Sequence, residues 1–419
     1  MELGINVDSL QKLYKLEQEP KLKIINENDK YNTKIVEYTF FVQNELEISE
    51  KIDAMDLTNK YAVSYRFLTI KKHEFVNVCE NNKKLINNNK IILLKYKKTY
   101  ENMGIFVDSF FQHHLNNNSI IETSGASCIL WNFIHIYENF FDDFLYLSNK
   151  NIFYIDFSSK NLLYNKNYPI FYRDFDKCFL RDENIKNLTK YVEIEKYTNK
   201  FIKIIESIEY FGNKHFDIFF SKELIKSKNF HETFKNLDNI IDDYVNNLFF
   251  CNFFSDKLKI NNKIKWKIQI KSKIEENVRY LNKDIENLSW EIYLFFILVK
   301  VDKTVWETFA LNSLFLYIAY YMIKIFDIND TSCVLYRYFK FLFANIDLNC
   351  TNFNNDNNDN NINIITCRNN YEKFYNSIEY EKDYNKSLIF NSLSHVTIEQ
   401  QKNLYEWLVK KFTYDDVEI

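Results

Sequence analysis

The sequence predicts an α+β protein with two lobes, a small strand-rich N-terminal lobe and a large, mostly helical C-terminal lobe. Short apolar runs separated by polar turns dominate the first hundred residues, which is typical of strands. A long amphipathic helix follows at residues 126–147, and most of the remaining chain has helical periodicity. Because 46% of the 419 residues are apolar and 18% are aromatic, the chain can bury a large core.

The predicted N-terminal lobe covers residues 1–104 and has the order strand, strand, helix, strand, strand. Its helix is expected at residues 42–55, where Leu46, Ile48, Ile52 and Met55 form an apolar face. The lobe ends at a polar stretch that closes with Gly104. The predicted strands are residues 22–26, 34–41, 61–70 and 91–96.

The predicted C-terminal lobe begins at residue 105 and opens with the helix at residues 126–147, in which apolar residues recur every three or four positions. Three short apolar segments complete its first part, which ends at residue 185. Residues 186–300 are predicted to be a helical insertion of unknown role, and residues 301–419 supply the remaining helices. Within these, the Asn-rich tract 351–363 is expected to be a disordered surface loop.

Composition limits the partners and the compartment. The net charge of −3 and the pI of about 6.2 give no basic field, so no nucleic-acid partner is expected. Seven scattered cysteines without a C-x-x-C pair predict free thiols in a reducing, cytoplasmic compartment. The N-terminus lacks the pattern of a signal peptide. The most apolar stretch, residues 309–326, is interrupted by Asn312 and Lys324, so a core helix is expected rather than a membrane span.

The segment that carries chemistry is residues 151–179, NIFYIDFSSKNLLYNKNYPIFYRDFDKCF. Asp156 follows an apolar strand, Asn161 lies five residues later, and Asp174 ends another apolar strand. Phosphoryl transfer from ATP needs a carboxylate to accept a hydroxyl proton and oxygen ligands to hold Mg²⁺. A loop with Asp and Asn followed by a hairpin that returns a second Asp is suited to both tasks. The alternative is an ordinary hairpin whose acidic residues cap turns.

This segment resembles the catalytic and metal-binding loops of the protein kinase superfamily, H-R-D-x-x-x-x-N and D-F-G. The resemblance implies a bilobal protein-kinase-like fold and an ATP- and Mg²⁺-dependent phosphotransferase. Asp156 would be the catalytic base, and Asn161 and Asp174 would hold the Mg²⁺ of bound ATP. Lys160 would be a basic residue near the γ-phosphate.

The resemblance extends to both sides of the segment. Glu45, on the predicted N-terminal helix, would pair with the lysine that anchors ATP. Lys23 is the candidate for that lysine, and Lys34 is the alternative. Downstream, the stretch that begins at Glu307 is similar to the large-lobe kinase helix written D-x-W-A-L-G.

The sequence also departs from the family pattern. No glycine occurs between Gly4 and Gly104, so the glycine-rich loop is absent or rebuilt. Asp176 replaces the glycine of D-F-G, as in relatives of aminoglycoside and choline kinases. The resemblance therefore leaves three functions open. The first is a divergent Ser/Thr protein kinase with a protein substrate, similar to those of large AT-rich DNA viruses. The others are a pseudokinase that acts as a binding or assembly module, and a small-molecule kinase. The oligomeric state stays open.

Overall fold

The structure is a computed structural model, and it describes part of the chain. Within the residues given in the next sentence, side chains are described for the helix that begins at Phe40 and for most positions from residue 126 onward. The described residues are 25–28, 31–37, 39–53, 61, 65–71, 90–97, 101–102, 121–158, 162–165, 168–172, 175–181, 191–209, 212–248, 251, 256–281, 288–301, 304–346, 362–384, 393 and 395–413.

The chain divides into two compact units. The first unit comprises residues 1–102 and 161–178, and the second comprises residues 103–160 and 179–419. The second unit contains most of the described residues and all but one of the described α-helices.

The first unit contains a four-stranded sheet in the order β1-β2-β4-β3, in which all neighbouring strands are antiparallel. A second sheet has the order β5-β7-β8. The central pair, β2 and β4, runs without a register shift, whereas the β1–β2 and β3–β4 pairs each contain one. The strands are β1 Ile25–Asn28, β2 Tyr31–Glu37, β3 Tyr65–Lys71, β4 Lys90–Lys97, β5 Glu101–Asn102, β7 Leu162–Asn165 and β8 Tyr168–Tyr172.

The first unit also contains helix α1, Phe40–Asp53. Thr39 begins this helix, because its hydroxyl accepts a hydrogen bond from the Val42 amide at 3.3 Å, which satisfies one of the free amides of the first turn. The strand expected at residues 34–41 therefore ends at Glu37. The aromatic residues that follow have high β propensity, but the cap directs them into the helix.

The second unit is built from helices and one short sheet. Strand β6, Ile152–Tyr154, pairs with β9, Cys178–Leu180, whose last two residues belong to this unit. The helices are α2 Ile121–Asn149, α3 Tyr191–Glu206, α4 Phe216–Ser227, α5 Phe230–Lys235, α6 Leu237–Asn247, α7 Asp256–Tyr280, α8 Trp290–Lys300, α9 Val305–Ile325, α10 Val334–Ala344, α11 Ile364–Tyr384 and α12 Ile398–Thr413.

Helix α9 lies at the centre of this unit and contacts α10, α11, α12 and β6. It is buried around most of its circumference, as expected for a helix that is apolar on every side. Beside it, the ring of Tyr137 on α2 contacts the rings of Phe315 and Phe341. The Tyr137 hydroxyl donates to Asn312 Oδ1 at 2.8 Å and lies 2.8 Å from Cys367 Sγ. A buried polar group needs such partners to offset its desolvation.

The predicted fold class is wrong. The strands β1–β5, β7 and β8 are described only as backbone. Among the residues that the structure describes together with their side chains, 78% are helical and the sheet has only two strands, β6 and β9. A small β-rich N-terminal lobe is therefore not shown, and the molecule belongs to the mostly helical α class. The sequence is rich in Ile, Phe and Tyr, which favour strands when they alternate with polar residues. In the part of the chain that the structure describes, many of them lie on helices and are buried in the core.

Helix α9 also has the length and hydropathy of a membrane-crossing helix. Of its most apolar window, 67% is buried inside the structure. Core helices of soluble proteins pass the same test, so this feature alone is weak support for a membrane span.

Candidate functional site

Asp156 lies just beyond β6, on a segment that is otherwise buried. Its neighbours Ile155 and Phe157 are 1% and 0% exposed, whereas the Asp156 side chain is 21% exposed. The Phe157 ring packs on those of Phe140 and Phe144 of α2, which anchors the segment to the longest helix. The chain therefore presents one carboxylate to the surface between two fixed apolar side chains.

A tight turn places β6 after α2. Asn151 has a φ of 59°, in the left-handed region that asparagine adopts more readily than other residues with a β-carbon. Its amide donates to the Ser148 carbonyl at 2.9 Å, which ends the helix in the manner of a left-handed C-cap. Its carbonyl accepts from the Arg181 amide at 2.8 Å, at the end of β9.

Glu307 connects β6 to the central helix. The Glu307 carboxylate is 3% exposed, and its Oε1 accepts a hydrogen bond from the Tyr154 amide at 2.8 Å. Tyr154 lies two residues before Asp156. The stretch that begins at Glu307 therefore contacts β6, the strand that precedes Asp156.

Lys214 contacts Asp156 directly. Its ammonium Nζ lies 2.8 Å from Asp156 Oδ1 and donates to the Phe157 carbonyl at 3.0 Å. The Lys214 side chain is only 2% exposed. An ammonium group removed from water in this way must be paired and hydrogen-bonded, and these two oxygens provide both.

The neighbours of Lys214 hold it in place. The Tyr244 hydroxyl of α6 donates to the Lys214 carbonyl at 3.1 Å, and the Asn213 side-chain amide donates to the Phe157 carbonyl at 3.3 Å. His215 is the N-cap of α4, and its Nδ1 accepts from the Asp217 amide at 3.3 Å. The short segment between α3 and α4 is therefore fixed on both sides of the lysine.

Arg181 directly follows β9, the strand that pairs with β6. Its guanidinium lies over the Phe153 ring, 4.9 Å from the ring centre, and donates to the carbonyls of Leu298 and Val301. These carbonyls end α8, where the partial negative charge of the helix dipole favours a cation. Arg181 thus connects β6, the strand that precedes Asp156, to the C-terminal end of α8.

In the first unit, α1 packs on the short 3₁₀ turn Phe175–Lys177. The side-chain amide of Asn44 donates to the carbonyls of Asp176 and Cys178 at 2.8 and 2.7 Å. The Phe175 ring is fully buried and lies 6.4 Å from that of Tyr61. The second half of the D-F-D motif is therefore fixed to α1.

The structure describes some of the predicted site residues and not others. Asp156 and Glu45 are described, with Glu45 half-buried on α1. Lys23, Lys160, Asn161 and Asp174 lie outside the described residues, and Lys34 is described only as backbone in β2.

The described residues do not form a metal site. Within them, no group of three or more His, Cys, Asp or Glu side chains could hold a metal ion. Asp156 pairs with the buried ammonium group of Lys214. The two predicted Mg²⁺ ligands are outside the part of the chain that the structure describes, so their fit stays a prediction.

Sequence reasoning did not identify Lys214, Asn44 or Arg181 as site residues. Lys214 is one of many lysines in a region without a motif, and 58 positions separate it from Asp156 along the chain. Its only signal is the polar break Gly212-Asn213-Lys214-His215 between two helical patterns, in a chain with four glycines.

No protein-family model matches the sequence, and no curated protein is significantly similar to it.

Proposed function

We propose that the chain is an ATP- and Mg²⁺-dependent phosphotransferase in which Asp156 is the catalytic base. One observation carries the proposal: a partly exposed carboxylate at the end of a buried strand is held 2.8 Å from a buried lysine. A general base must be ionised and well placed, and the neighbouring ammonium of Lys214 supports both conditions. The spacing of Asn161 and Asp174 after Asp156 supplies the Mg²⁺ ligands of the proposal.

The reaction would proceed in one displacement. The acceptor hydroxyl gives its proton to the Asp156 carboxylate while its oxygen forms a bond to the γ-phosphorus of ATP. The bond between that phosphorus and the bridging oxygen breaks, and ADP leaves with the bonding electrons. Bound Mg²⁺ would neutralise phosphate charge, and positioning with electrostatic stabilisation supplies most of the catalysis in this class. The hydroxyl acceptor that we favour is a Ser or Thr side chain of a protein.

The first test is a thermal-shift titration with ATP, with and without Mg²⁺, on the wild type and on Asp174→Asn. A ligand that binds only the folded state stabilises it by about 2.7 kcal/mol at a hundredfold excess over Kd. We expect a Mg²⁺-dependent shift that Asp174→Asn loses. No shift at millimolar ATP would contradict the proposal and would favour a binding or assembly module, for which the absence of glycine between Gly4 and Gly104 already argues.

The second test separates binding from chemistry. We expect Asp156→Asn to lower ATP hydrolysis and autophosphorylation about 10²- to 10⁴-fold, because it removes the proton acceptor, while the ATP-dependent thermal shift persists. The matched control is Asp142→Asn, which changes an exposed aspartate of α2 that pairs with Arg368. Unchanged turnover in Asp156→Asn would contradict the assignment of Asp156 as base.

A further inference from the structure

The contact between Lys214 and Asp156 joins parts of the chain that the sequence gives no reason to connect. The helices from α3 to α8 fall in the region predicted as an insertion of unknown role. Lys214 lies in the segment between α3 and α4, and its Nζ lies 2.8 Å from Asp156 Oδ1. This segment therefore contributes a charged group to the candidate site.

Burial decides what Lys214 can do. At 2% exposure its side chain has almost no surface with which to contact a substrate, whereas the Asp156 side chain is 21% exposed. The lysine binds the carboxylate and the carbonyl of the next residue, Phe157, together. It thus fixes both the charge and the backbone of the loop, which is the action of a positioning group.

The other titratable side chains near this pair contact partners of their own. His215 and Asp217 contact each other at 3.3 Å, and the Trp306 indole donates to Asp217 at 3.4 Å. Glu307 accepts from the Tyr154 amide. The Lys214 ammonium lies within salt-bridge distance of Asp156.

We propose that Lys214 is the positioning residue for Asp156, and that the segment between α3 and α4 thereby completes the phosphotransfer site. This proposal rests on the proposed function. The ammonium favours the ionised carboxylate and restricts its orientation, which prepares Asp156 to accept the hydroxyl proton of the acceptor. The region of α3–α8 is then part of the catalytic unit.

The test compares Lys214→Met and Lys214→Arg with the wild type in ATP hydrolysis and autophosphorylation from about pH 3.5 to about pH 9, a range that includes the ordinary aspartate pKa. In Lys214→Met we expect kcat/KM to fall at least about tenfold, because a misplaced group loses much of its effect. We also expect the acidic limb of the pH profile to move to higher pH, since the opposite charge is gone. Lys214→Arg should restore part of the rate and most of the pH profile.

The control is Lys222→Met on α4. Lys222 donates to the Ile208 carbonyl at 3.1 Å, so the pH profile of Lys222→Met should match the wild type. A Lys214→Met enzyme with the wild-type acidic limb would overturn the inference and leave the proposed function intact. A wild type that neither binds nor hydrolyses ATP would overturn the proposed function, and with it the role of Lys214.

Folding is checked separately by thermal unfolding of Lys214→Met, Asp156→Asn and the double variant. If the two groups act together, the Tm loss in the double variant is smaller than the sum of the single losses. Additive losses would overturn the inference even if activity falls. This readout does not depend on finding an acceptor.

Discussion

At the scale of single residues, buried polar groups decide where the candidate base lies. Asp156 is held by Lys214, and its strand is held by Glu307 through the Tyr154 amide. The sequence could predict Asp156, because an acidic residue after an apolar strand is a local pattern. It could not predict Lys214, because a contact across 58 positions depends on how helices pack, and no local pattern records that.

Glu307 provides the residue-scale prediction. We expect Glu307→Ala to destabilise the protein by about 1–3 kcal/mol, because the Tyr154 amide loses its buried acceptor. Glu307→Gln keeps an oxygen at that place and should cost less. Urea unfolding measures both, with Glu406→Ala on the exposed side of α12 as control. Equal losses in the Ala and Gln variants would show that the charge, and not the hydrogen bond, is what matters.

At the scale of elements, apolar periodicity in the sequence predicts that a helix exists, but it does not predict the residues at which the helix begins and ends. The helix predicted at residues 126–147 is observed as Ile121–Asn149, because its apolar stripe packs on α11, α12 and β6. The boundary of α1 was misplaced, since the capping hydroxyl of Thr39 competes with the strand propensity of Phe40 and Phe41. The class was wrong because aromatic and branched residues serve helix packing as well as sheets.

Helix α1 provides the element-scale prediction. Asn44→Ala should leave the carbonyls of Asp176 and Cys178 without their donor, which raises the free energy of this turn by about 1–3 kcal/mol. We expect faster hydrogen exchange in peptides that cover residues 175–180. Gln43→Ala, an exposed neighbour on the same helix, is the control. Unaltered exchange in Asn44→Ala would mean that other contacts hold the turn.

At the scale of the whole molecule, the core of the second unit is rich in buried groups that ionise at alkaline pH. Burial raises the pKa of Cys367 to about 11, although the Tyr137 and Asn312 hydrogen bonds oppose this. Burial likewise raises the pKa of Tyr137 and Tyr338 above the usual tyrosine value. Folding therefore favours the protonated, neutral form of each group.

This core predicts loss of stability at high pH. A pKa raised in the folded state contributes stability that is complete below the unfolded value, about 8.5 for cysteine, and is lost as pH rises toward the folded value. Between those limits Cys367 alone should lower the free energy of unfolding by about 1.4 kcal/mol per pH unit. Urea unfolding at about pH 7, 9 and 10.5 measures this fall. Cys367→Ala should flatten the slope, and an unchanged slope would contradict the assignment.

Trp306 offers an optical signal from the same region. Its indole stacks on the Phe201 ring, with 5.9 Å between ring centres, and donates to Asp217 at 3.4 Å. Asp217 lies three residues after Lys214, on the helix that His215 caps. Because indole emission responds to nearby charge and packing, the difference in fluorescence between the wild type and Trp306→Phe, in a chain with five tryptophans, reports rearrangements around Asp217 without an attached dye.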